Sequence, residues 1–108
     1  MSMITIEDFF QTELRVATIT AAEPIPNSSK LLKMSVDLGT ESRVLVAGIA
    51  KEYSSEDLLG KQVVVVTNLQ PVKLMGVESQ GMVLAASVSG KPVLLHPGEE
   101  VPNGTAVK

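Results

Sequence analysis

The sequence predicts an all-β domain, and three observations predict it. Leu32-Lys33-Met34-Ser35-Val36-Asp37-Leu38 alternates strictly between apolar and polar residues, the period of a half-buried strand. Four further runs are rich in β-branched or apolar residues and are bounded by Gly, Pro, Asn and Ser. A short helical segment lies between the third and fourth of the five runs. A small Greek-key barrel of the OB type, with five strands, satisfies this pattern, as do other small barrels.

Thr5-Ile6-Glu7-Asp8-Phe9-Phe10-Gln11 reads as a short helix with Thr5 at its cap, Asp8 completing much of a capping box. Leu14 to Thr20 is the first strand, alternating from Leu14 to Thr18. Pro24, Pro26 and Asn27-Ser28-Ser29 form a loop before the second strand, Leu32–Leu38. Gly39 to Ser42 is a hairpin turn into the third, Arg43 to Ile49. Ser54-Ser55-Glu56-Asp57-Leu58-Leu59-Gly60 is a helix of one or two turns, with a Ser cap, acids in its first turn and a closing glycine. Four consecutive valines, Val63 to Val66, suit a fourth strand covered on both faces. The segment Asn68 to Met82 holds Pro71, Gly76 and Gly81, too much backbone punctuation for a helix. Its polar groups should project from a loop or short strand at the mouth of the sheet, where binding residues tend to sit. Met82 to Ala86 is the fifth strand. The barrel should occupy about residues 12–88 of a single domain spanning 1–108. The remainder, about 89–108, is apolar at Val93, Leu94, Leu95, Val101 and Val107 and must cover its own subunit or a partner copy.

Composition narrows the function. A chain of 108 residues has room for one core. Aromatic residues are 3%, so Val, Leu, Ile, Ala and Met must build that core. Cysteine is absent, which removes disulfides, thiolate metal sites and thiol nucleophiles. No apolar run approaches the roughly 20 residues of a membrane helix, and the N-terminus lacks the pattern of a signal peptide. We read a soluble, cytoplasmic protein with no membrane partner. The net charge of −3 leans against a phosphate-rich partner. Within residues 27–51, however, Lys30, Lys33, Arg43 and Lys51 stand against Asp37 and Glu41, four positive charges to two negative.

No catalytic constellation is present. His96 is the single histidine, beside Pro97-Gly98, and reads as a turn residue rather than a metal ligand or a base. Glu56 and Asp57 are adjacent, so they diverge on a helix and suit its N-terminus. No glycine-rich phosphate loop or nucleophile elbow occurs. We expect no enzyme activity, no cofactor and no metal. Met82 is either core filler or a soft surface against a base. Ser79 is either a turn residue or a hydrogen-bond partner of an unpaired base or ribose hydroxyl.

Several motifs in order resemble the tRNA-binding domain found at the C-terminus of many methionyl-tRNA synthetases and as free-standing proteins. They are Asp8-Phe9 with Glu13-Leu14-Arg15-Val16-Ala17, Ser29-Lys30-Leu31-Leu32, and Val46-Ala47-Gly48-Ile49-Ala50. Tyr53, Glu56, Leu58 and Gly60-Lys61 follow, then Asn68-Leu69, Pro71, Lys73, Gly76, Ser79 and Gly81-Met82. The resemblance implies an OB-fold whose C-terminal extension makes a homodimer. It also implies binding of tRNA by shape, in aid of a methionyl-tRNA synthetase catalytic subunit. Family positions tied to RNA contact fall on Lys30, Lys33, Asn68, Lys73, Ser79 and Met82; Arg43 and Lys51 are added from charge alone. More basic members carry another cation around Pro71–Gly76, where Val72 and Met75 stand here. CsaA-type secretion chaperones, which bind peptides, share the domain and are the alternative.

Overall fold

The computed structural model describes residues 1–108. Helix α1 (Ile6–Phe10) forms with a complete capping box: Thr5 Oγ1 accepts from Asp8 N at 3.1 Å, and the Asp8 carboxylate accepts from Thr5 N at 3.3 Å. None of its residues is buried. The strands that follow are β1 (Leu14–Pro24), β2 (Leu32–Asp37) and β3 (Ser42–Ala47). Helix α2 (Ser55–Leu58) and β4 (Gln62–Val66) come next. Then come the hairpin β5 (Val72–Leu74) and β6 (Val77–Ser79), the short β7 (Met82–Val83), and a second hairpin, β8 (Ala85–Val88) and β9 (Lys91–Leu94).

Five strands make one antiparallel sheet in the order β3-β2-β1-β4-β7. The long β1 serves two partners: its first half pairs with β4 and its second with β2, with a bulge between Ile19 and Ala21. Such a bulge bends the strand and increases its twist, which lets the sheet curl until β6 and β7 lie beside β3. The result is the nearly closed OB-type barrel that the pattern predicted, although the expected fifth strand, Met82 to Ala86, divides at Leu84 into β7, which pairs with β4, and β8, which pairs with β9. Strand β1 extends past the expected end at Thr20 to Pro24, opposite Leu32. A proline is tolerated there because this part of β1 pairs with β2 alone and so has an open edge.

The alternation in β2 translates directly into packing. Leu32, Met34 and Val36 are buried, whereas Lys33, Ser35 and Asp37 are half-buried. They join Ile19, Leu45, Val63 and Val65 in one core, into which α2 inserts Leu58. Burying each such side chain contributes about 1.5–3 kcal/mol. All four valines of β4 are buried, so that strand is covered on both faces.

The C-terminal region divides in two. Gly104 N donates to Val16 O at 2.7 Å, Val16 N to Thr105 O at 2.9 Å, and Val107 N to Leu14 O at 2.9 Å. The tail thus lies along the first half of β1, on its own subunit. The β8–β9 hairpin is anchored by buried Leu94, whose N–H donates to Tyr53 Oη at 3.0 Å, but it leaves Val88 and Val93 exposed. No helix is long and apolar enough to cross a membrane.

Candidate nucleic acid interface

The open edge of β3 is closed by the Ser79–Gly81 turn, through two side chains and one backbone amide, rather than by a paired strand. Val46 N donates to Ser79 Oγ at 2.9 Å, and that hydroxyl donates to Gly81 O at 3.0 Å. Val44 N donates to Gln80 Oε1 at 3.0 Å, while Gln80 N donates to Val44 O at 2.8 Å. Arg43 reaches under this clasp, its Nη1 donating to Thr67 O at 2.5 Å and Gln80 O at 3.2 Å, and its Nε pairs with Glu41. Gly81 has φ +150°, and a Cβ there would stand 2.8 Å from Val66 O, so only glycine lets β7 approach β4 at this turn.

Above the clasp lies an apolar groove of about 440 Å³, between the end of β3 and the β5–β6 hairpin, with β7, β8 and Pro92 on its far side. Leu69, Val72, Leu74 and Met82 line it and are all partly open to solvent. Met82 is 49% exposed, so the core reading of this side chain is replaced by a surface one. The short hairpin presents Val72 and Leu74 here because they alternate with Lys73. Its turn is Met75-Gly76, both at positive φ (50° and 80°), as two-residue hairpin turns of the primed type require.

The candidate residues separate into two sets. Lys30 lies along Gly48 at the groove rim, its Cε 2.9 Å from the point a Cβ would occupy. Lys33 stands opposite Val46 in the β2–β3 register, on the same face of the sheet, with Nζ 3.7 Å from Glu23 Oε1. Lys30 and Met82 border the groove, whereas Lys33 lines a separate hollow with Val44, Glu78 and Gln80. Lys73 pairs in register with Glu78 and faces away from the groove on the other side of the hairpin. Lys51 is exposed in the turn before α2.

The other three candidates have inward partners. Ser79 is 5% exposed and its hydroxyl both accepts and donates within the clasp, so the expected hydrogen bond to an external ligand has no free group behind it. Asn68 is exposed, yet its Oδ1 accepts from Glu13 N at 2.8 Å and its Nδ2 donates to Gln11 O at 2.6 Å. It fastens the segment after α1 to the end of β4. Arg43, chosen from charge alone, holds backbone carbonyls. Sequence reasoning missed Gln80, Gly48 and Gln70; a glutamine in a turn carries no local signal of what lies across from it.

A second cavity, of about 360 Å³, has polar walls. Glu13 Oε1 accepts from Arg15 Nε at 2.9 Å and from Thr67 Oγ1 at 2.9 Å, and Arg15 Nη1 donates to Gly104 O at 2.8 Å. The hydrogen bonds from Arg15 and then Thr67 hold the Glu13 carboxyl below its ordinary value. His96 sits elsewhere, its Nδ1 2.6 Å from Gln62 O.

A profile of the family described as "Putative tRNA binding domain" matches residues 14–106. The methionine–tRNA ligase 1 of Bacillus anthracis is 56% identical over 105 residues, which are 97% of this chain and 16% of the ligase. The methionine–tRNA ligase of Methanothrix thermoacetophila is 53% identical over 106 residues, 98% of this chain and again 16% of the ligase. The chain therefore spans about a sixth of the length of these curated relatives. Among solved structures, a MetRS related protein from Pyrococcus horikoshii superposes with a TM-score of 0.95 at 40% identity, covering 100% of both chains. The chaperone CsaA of Bacillus anthracis superposes with a TM-score of 0.90 at 37% identity, covering 99% of this chain and 100% of that one.

Proposed function

This chain belongs to the tRNA-binding domain family, and on that premise we propose that it is a non-catalytic module which grips folded tRNA and raises a methionyl-tRNA synthetase's affinity for it. The observation that carries the reading is an exposed apolar groove with Lys30 at its rim, on a chain of net charge −3; Lys33 stands in the neighbouring hollow with Val44 and Glu78. A cation beside an exposed groove on an acidic molecule gives a phosphate a favourable approach. Lys73, on the opposite side of the hairpin, and the exposed Lys51 would add further phosphate contacts. Asn68, Ser79 and Arg43 serve it from behind, by holding the loops in place.

Two copies would pair through the β8–β9 hairpin, whose exposed Val88 and Val93 have no cover on their own subunit. A dimer places two grooves on one assembly and increases avidity when one tRNA spans both. The setting that fits this role is the cytoplasm. Filter binding of unfractionated tRNA across a salt series, with sedimentation of the same sample, tests the whole proposal. A salt-independent, micromolar-or-weaker association by a monomer would refute it.

The chaperone reading draws on one specific observation, the apolar floor of the groove, and on the likeness to CsaA. Competition between labelled tRNA and a reduced, unfolded polypeptide separates the two. We expect the polypeptide to leave tRNA bound.

A further inference from the structure

Resting on the tRNA-binding reading, we infer that the groove is a pocket for one unpaired nucleobase and that Gln70 reads that base's edge. Two polar side chains line the groove, Gln70 and Ser79. The Ser79 hydroxyl is already held by Val46 N and Gly81 O. The Gln70 carboxamide is therefore the polar side chain free to meet a ligand, and it offers both donor and acceptor to a base edge.

The rest of the lining selects the same occupant. Leu69, Val72, Leu74 and Met82 give an apolar floor without an aromatic ring, and Met is a soft, polarisable surface for a heterocycle. Paired RNA presents phosphates and ribose hydroxyls, which gain nothing from such a floor; an unstacked base does. Lys30 crosses the rim at Gly48, where the missing Cβ leaves room for its methylenes. A base below and an ammonium at the lip match the two halves of a nucleotide. An extended peptide would seek the amides of a strand edge, but Val44 N and Val46 N of β3 are taken by Gln80 and Ser79.

The test uses the intact protein and two RNA duplexes of identical stem, one blunt and one with a single bulged adenosine, with whole tRNA as reference. We expect the bulged duplex to bind at least about tenfold tighter than the blunt one. Met82→Glu or, as a second variant at another exposed lining position, Leu69→Ser should abolish that preference with little change in melting temperature. Gln70→Leu should keep the preference for a bulge but lose discrimination between bulged adenosine and bulged uridine. Gly48→Ala should weaken both duplexes by displacing Lys30. With 2-aminopurine at the bulge, fluorescence should rise on binding, since the base leaves its stack for a groove without a quenching ring.

Equal affinity for the two duplexes, alongside intact tRNA binding, would overturn the inference and leave the broader reading standing. Absence of binding to tRNA and to both duplexes would remove the two together. Polypeptide binding that Met82→Glu abolishes, with RNA binding unaffected by the same change, would assign the groove to peptides and overturn the inference.

Discussion

At the polar end of the barrel, Arg15 and Arg43 each face a carboxylate and donate to backbone carbonyls of distant segments. At the groove, Lys30 extends along a glycine, and in the hollow beside it Lys33 meets a single exposed carboxylate at 3.7 Å. The difference follows from the two side chains. A guanidinium has five fixed donors and suits bracing several acceptors at once, whereas an ammonium is a mobile point charge on a flexible stem. Charge alone does not separate the roles; the geometry of the acceptors does. The arginine end therefore braces the fold, whereas the role proposed for the lysines is to set what approaches.

That division can be broken at its strongest point with Arg43→Ala. The substitution leaves Thr67 O, Gln80 O and the Glu41 carboxylate without their partner. We expect a loss of about 2 kcal/mol, which in a domain of this size lowers Tm by roughly 10 °C. An unchanged melting curve would show that the clasp stands without the arginine.

Ser79→Ala should cost about 1–2 kcal/mol because Val46 N–H and Gly81 O lose their shared hydroxyl. Urea unfolding measures this loss. The slope of log affinity against log salt should stay at the wild-type value, since a serine removes no cation; a changed slope would make Ser79 a direct contact.

Lys73→Ala sharpens the comparison from the other side. Stability should move by no more than about 0.5 kcal/mol, as for an exposed residue, while tRNA binding weakens and the salt slope falls by roughly one. Identical titrations for variant and wild type would confine the RNA surface to the groove side of the hairpin.

The smallest effect concerns Glu13. Its native carboxyl titrates below the unfolded one, chiefly through its hydrogen bonds from Arg15 and Thr67. The stability it contributes is therefore complete above the ordinary carboxylate range and is lost as pH falls through the native value. Glu13→Gln should be slightly less stable than wild type at neutral pH, and the two should converge in acid. A gap that persists in acid would trace the effect to packing instead of charge.

Local chemistry explains which parts of this molecule were readable in advance. The β2 alternation, the valine run of β4, the Thr5 capping box and the Ser54 cap on α2 all depend on residues within a few positions of one another. Of the residues taken from motif order, Lys30 and Met82 lie at the groove and Lys33 in the hollow beside it. The inward roles of Asn68, Ser79 and Arg43 were not readable. Asn68 is bonded to Glu13 and Gln11, 55 and 57 positions away, and Ser79 to Val46, 33 positions away.

By itself, then, the amino-acid order determined the first four strands, the buried face of β2 and the helix caps, because backbone preference and hydrophobic period act over one or two turns of chain. Only the tertiary structure decided that β3 is closed by Ser79 and Gln80, that the tail returns to β1, and that Met82 opens onto a groove. The reason is geometric. Whether a polar group is free or already bonded depends on what the curled sheet brings opposite it, and no local pattern records that partner.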